Sequence, residues 1–158
     1  METTMRLLIP ALSIALATSG CGSNTAEQTI ENRETGEKVT VSTSVDGGGI
    51  ALPDNLPAFA AVYPGAKIIT VASKPGATAE GLLAYSVKAQ PQAVIDHYRK
   101  QGATAGMAVV TEMATGEARM LAMGKGEASS PAMQITTSPS GEDDGSLQVT
   151  VTYSAPAS

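Results

Sequence analysis

Residues 146–154 read "SLQVTVTYS", and their alternation decides the fold class. Leu147, Val149, Val151 and Tyr153 occupy every second position, with Gln148, Thr150 and Thr152 between them. Side chains of a strand point to opposite faces in turn, so this period of two predicts a strand with one buried and one wet face. Antiparallel sheets covered on one side carry that pattern. The preceding strand candidates have the same character. "AMQITTS" (132–138) leads through "PSGEDDG" into 146–154, and "GMAVVTEMA" (106–114) leads through Thr115-Gly116-Glu117 into "ARMLAMG" (118–124).

One segment differs. "QPQAVIDHYRKQGA" (90–103) places Val94, Ile95 and Tyr98 on one side of a helical wheel, with Asp96, Arg99 and Lys100 facing away. Pro91 suits a first helical turn, Gly102 suits the position after the last, and Asp96–Lys100 is a favourable i, i+4 pair. Upstream, "KIITVA" (67–72) and "GLLAYSVKA" (81–89) read as a hairpin joined by Lys74-Pro75-Gly76-Ala77 and introduced by Tyr63-Pro64-Gly65-Ala66. Both connections have the Pro-Gly centre of a type II turn. Pro53 and Pro57 exclude a regular helix from "ALPDNLPAFAAVYPGA" (51–66), which reads as a segment laid over the core. The order β-β-α-β-β-β-β predicts an α+β domain: an antiparallel sheet of about five to six strands with a single helix packed on one face. "KVTVSTSV" (38–45) alternates as well, but its apolar face is thin, and it reads equally well as an edge strand or as extended tether.

The start, "METTMRLLIPALSIALATSG", has the layout of a secretory signal peptide: basic Arg6, an apolar run from Leu7 to Ala17, then small Thr18, Ser19 and Gly20. That run is well short of the roughly 20 apolar residues a spanning helix needs. Translation from Met1 or from Met5 fits equally, Met5 giving the cleaner basic entry "MRLLIP". The small residues run directly into Cys21, the only cysteine of the 158-residue chain. Thr18, Ser19, Gly20 and Cys21 resemble the lipobox of bacterial lipoproteins cut by signal peptidase II, with Thr18 where the family usually has leucine. The resemblance implies a diacylglyceryl group on the Cys21 thiol, an acyl chain such as palmitate on its amine, and removal of residues 1–20. Gly22 stands where the family's inner-membrane retention signal is usually Asp, which implies the outer membrane, facing the periplasm. Each buried methylene contributes about 0.8 kcal/mol, so several chains on one residue make dissociation negligible.

The expected organisation is a signal peptide (1–20), a lipidated N-terminus and flexible tether (21–49), a small α+β domain (50–155) and a frayed tail (156–158). Arg6 and Glu2 leave together, so the net charge of −5 is unchanged by processing. So acidic a chain offers no basic footprint for nucleic acid. Intrachain disulfides are impossible, and with one Phe, four Tyr and no Trp the core must be aliphatic. The motifs "LP…LP…YPGA" and Tyr98-Arg99-x-x-Gly102, set between hairpin and late strands over residues 50–153, look similar to small uncharacterised lipoproteins of Gram-negative bacteria. That resemblance implies no known activity.

No convergent catalytic set is legible. His97 is the only histidine, borders the helix's apolar stripe and reads as a solvated surface residue, with a hydrolase built on it as a competing class. It has no second histidine with which to form a zinc pair. No G-x-S-x-G setting marks a nucleophile. The turn Gly141-Glu142-Asp143-Asp144-Gly145 lacks the spaced acidic pattern of a calcium loop, and Gly124-Lys125-Gly126 is a linker and not a phosphate loop. Met107, Met113, Met120, Met123 and Met133 are the one set with metal-binding chemistry, since thioethers select Cu(I). Against a joint site, Met120 and Met123 are three apart on a strand and point to opposite faces, while Met107 and Met113 share a face about 20 Å apart. Methionine as flexible core filler is the plainer use. The expectation is therefore a lipid-anchored, non-catalytic binding or assembly module without a cofactor. Its partners are the membrane and an unidentified envelope protein or ligand, and the alternative is a periplasmic Cu(I)-handling protein.

Overall fold

The computed structural model describes residues 25–32, 34–44, 50–74, 78–126, 131–141 and 144–156. The segment expected as signal peptide, with Thr18, Ser19 and Gly20, and the expected lipid-bearing Cys21 lie outside the described residues, as do Pro75, Gly76 and Ala77 of the expected hairpin turn.

Among the described residues, eight strands form one antiparallel sheet: β1 (Thr25–Glu31), β2 (Lys38–Ser44), β3 (Lys67–Lys74), β4 (Thr78–Val87), β5 (Ala108–Thr115), β6 (Ala118–Gly124), β7 (Ala132–Pro139) and β8 (Leu147–Pro156). Their order is β1-β2-β3-β4-β8-β7-β6-β5, with helix α1 (Pro91–Thr104) between β4 and β5. The expected sheet of five to six strands is thereby corrected to eight. Both additions lie within 21–49, the span expected as tether. β2 is the ambiguous "KVTVSTSV" segment. β1, "TAEQTIE", presents no buried side chain, and pairing with β2 along its whole length holds it.

One row of directly opposed residues crosses all eight strands: Glu27, Ser42, Val71, Leu83, Val151, Ile135, Leu121 and Glu112. Its five central members are buried, four of them completely. Full burial of each such aliphatic side chain contributes about 1.5–3 kcal/mol, which makes this row the spine of the core. The ends turn polar where cover runs out. Tyr85 opposite Val149 and Met133 opposite Tyr153 extend the same face.

Helix α1 covers this face with Val94, Ile95, Tyr98 and Gly102. Pro91 begins it as expected, but Gly102 does not end it. The helix runs on to Thr104, and Gly106 (φ +75°) takes the left-handed position after the end. The Gly106 N–H donates to Ala103 O (3.0 Å) and the Met107 N–H to Gly102 O (2.9 Å), the paired bonds of a Schellman cap. Gly102 instead lies inside the last turn, where a β-carbon would be 2.7 Å from Met123 Sδ and 2.6 Å from Met133 Cε. The expected Asp96–Lys100 pair is replaced by Asp96–Arg99, and Arg99 also reaches Glu112 on β5 (2.6 Å).

Residues 50–66 complete the cover, with Phe59 and Ala60 of a 3₁₀ turn (Ala58–Ala60) in the core and Leu56, Val62 and Tyr63 packed against it. The turn at Tyr63–Ala66 forms as expected: Gly65 has φ +80° and the Ala66 N–H donates to Tyr63 O (3.1 Å).

Candidate functional site

His97 is not a solvated surface residue. Half-buried on α1, its ring meets Tyr63 and Tyr98 edge-on, with centroids 5.1 and 5.2 Å away. Its Nε2 is 2.6 Å from the side-chain amide of Gln101, one helical turn on. The Gln101 amide satisfies every neighbour when its oxygen accepts from His97 Nε2 and its nitrogen donates to Ala58 O (3.0 Å) and Phe59 O (2.9 Å). His97 and Gln101 thus form a clasp that ties α1 to the 3₁₀ turn. Gln101 escaped the sequence reading, although its i, i+4 spacing from His97 was the available signal. Beside the clasp, the Tyr85 and Tyr98 hydroxyls meet at 3.0 Å in the core. Burial pushes the Tyr85 phenol up to about 12, and burial with the neighbouring Tyr85 raises Tyr98 further.

The methionines divide between the two faces of the sheet. Met123 and Met133 are directly opposed, buried, and packed in the core cluster with Met107. Met113 and Met120 are also directly opposed, but on the other face. The shared face expected of Met107 and Met113 is overturned by a bulge: the register shifts between Val109 and Thr111, reversing parity within β5. Met107 is accordingly 5% exposed and Met113 54%. The five do not converge.

Asp144 of the acidic turn is engaged by protein groups beside it. Asp144 Oδ1 accepts from the Ser146 N–H (2.9 Å), Ser140 and Ser146 join hydroxyls at 2.7 Å, and Lys88 lies 3.4 Å from Asp144. These contacts, Ser146 foremost, hold the Asp144 carboxyl below its ordinary value. Glu142 and Asp143 lie outside the described residues. Among the described residues, no group of three or more His, Cys, Asp or Glu side chains is placed to hold a metal ion, and no helix is long and apolar enough to cross a membrane.

What the architecture leaves accessible is sheet. No described element crosses the second face. Two successive rows there run Gln28, Val41, Ala72, Leu82, Thr152, Gln134, Ala122, Thr111 and Ala26, Thr43, Thr70, Ala84, Thr150, Thr136, Met120, Met113. Neither row carries a charge on any strand.

The two edges are β1 and β5. All eight residues of β5 are exposed, including Val109, Val110 (67%) and Met113. Natural edges are usually short, charged or covered, because unpaired backbone groups template further pairing. β5 has one bulge and one charge, Glu112, which Arg99 neutralises. Among the described strands it carries the most exposed large apolar side chains.

No protein-family model matches the chain, no curated protein matches it, and no solved structure matches its fold.

Proposed function

We propose that this chain is a lipid-anchored envelope protein, held through Cys21 in the outer membrane and facing the periplasm, whose sheet is a non-catalytic module for binding or assembly. The anchor reading is supported by the Arg6, Leu7–Ala17 and Thr18-Ser19-Gly20-Cys21 sequence. The binding reading is carried by β5, an eight-residue edge strand with three large exposed apolar side chains and no outer neighbour among the described residues. An extended segment adding to β5 would gain main-chain hydrogen bonds along the edge and side-chain contacts at alternate positions. The clasp of His97 with Gln101 favours a structural duty for the one histidine over a hydrolytic one.

Two measurements test this. The intact mass of membrane-extracted protein, beside Cys21→Ala in Triton X-114 partition, should show acylation at Cys21 and its loss in the variant. A photo-crosslinker at Thr111 in cells should capture a discrete partner that one at Thr29 on β1 does not. An aqueous, unacylated protein overturns the anchor, and equal or absent capture at both positions overturns the β5 site.

A second reading, Cu(I) handling, is favoured by one observation: Met113 and Met120 face each other across β5 and β6 outside the core. Ligand that binds only the folded state raises its melting temperature. Cu(I) should then raise Tm in the wild type and not in Met113→Leu/Met120→Leu, and no rise in either removes this reading.

A further inference from the structure

The two sheet edges differ in how much chain separates them from Cys21. β1 begins at Thr25, which pairs with Ser44 at the first position of the ladder. Only Gly22, Ser23 and Asn24 separate Cys21 from that strand. Even fully extended, four residue steps span at most about 14 Å. A tether reaching to residue 49 would wander about 30 Å on average and extend much farther.

We propose that the corner of the sheet formed by Thr25 of β1 and Thr43–Ser44 of β2 sits against the bilayer that carries the anchor, with the β5 edge held away from it. The inference rests on lipidation of Cys21. Its occupant is a lipid surface, identified by how little chain separates an acylated residue from a paired strand. β5 lies seven strand spacings from β1, about 34 Å across the sheet. The β1 edge is therefore screened by headgroups, and β5 is the edge presented to the periplasm.

The test uses the full lipidated chain, in which acylation leaves Cys21 no thiol and an introduced cysteine is the only one. Thr43→Cys and Lys125→Cys place a fluorophore at the corner and at the diagonally opposite end of the sheet, both on exposed residues. In phosphatidylethanolamine/phosphatidylglycerol vesicles carrying nitroxide lipid, the Thr43 label should be quenched severalfold more than the Lys125 label. Inserting about twenty Gly/Ser residues after Ser23, with an average span of about 25 Å, should abolish the difference while leaving vesicle binding intact. Equal quenching of the two labels, or a difference that survives the insertion, overturns the inference. Triton X-114 partition of the same proteins separates the two failures. A chain in the aqueous phase overturns the anchor, and the inference with it. A chain in the detergent phase without preferential quenching at Thr43 overturns the inference alone.

Discussion

The phenol of Tyr153 lies over its register partner Gly81, so that a β-carbon on residue 81 would stand 2.4 Å from Tyr153 Oη and 2.8 Å from the carbonyl oxygen of Ala72. The ring occupies space that only glycine leaves open, and the second clash is with backbone that cannot step aside. Gly81→Ala should therefore cost about 1–3 kcal/mol, the range for overfilling a packed site. A lowered urea midpoint at unchanged slope is the reading to look for.

Tyr153 supplies a change of opposite sign. Its hydroxyl is buried and has no hydrogen-bond partner among the described residues. An unsatisfied buried polar group costs about 1–3 kcal/mol, so Tyr153→Phe should hold or raise stability where most core changes lower it. Thermal unfolding of the variant checks this.

Gly102 resembles Gly81 in crowding but not in outcome. Its close neighbours are the ends of Met123 and Met133, which swing aside easily. Replacing a helical glycine by alanine returns about 1 kcal/mol of propensity. Gly102→Ala should fall within about 1 kcal/mol of wild type, clearly apart from Gly81→Ala in the same denaturation assay.

The buried tyrosine pair makes stability fall at alkaline pH. A phenol whose folded pKa is raised stabilises fully below the unfolded value of 10.0 and loses that contribution as pH climbs through the folded value, about 12 for Tyr85. Two units correspond to about 3 kcal/mol. Unfolding free energy should be level to pH 9 and drop between 10 and 12, and Tyr85→Phe/Tyr98→Phe should flatten that drop.

Gln101 is the fifth site. Gln101→Leu removes the partner of His97 and the donor to two carbonyls, and should cost about 1–3 kcal/mol. Hydrogen exchange should quicken across residues 56–62 while the β7–β8 ladder keeps its protection, since the clasp holds the 3₁₀ turn and not the sheet.

The sequence disclosed elements wherever burial imposed a period. Leu147 to Tyr153 repeat every second residue, and Val94, Ile95 and Tyr98 fall at helical spacing, because one side of each element packs on the others. Thr25–Glu31 imposes none: its side chains are exposed and its stability is that of a backbone ladder, to which composition is nearly blind. The bulges are hidden for a related reason. One extra residue at Val110 reverses facing within β5 without any unusual residue type, and it was enough to misplace Met113. The same holds at the helix end, where Gly102 and Gly106 are equally plausible stops until packing against Met123 and Met133 chooses between them. The open face and β5 edge were not legible, because exposure belongs to strand order, and strand order came from pairing β4 with β8.

That pairing has a consequence for how the chain acquires its shape. β4 and β8 pair from Thr78–Pro156 to Val87–Leu147, joining two four-strand meanders through β8. Until residues 147–156 are available, β4 and β7 are each missing a neighbour and the central row from Val71 to Leu121 lacks Val151. Closure of so distant a pair is slow and comes late. A chain built this way cannot close its sheet until residues 147–156 have joined it, and truncation before residue 147 leaves β4 and β7 without the neighbour they share.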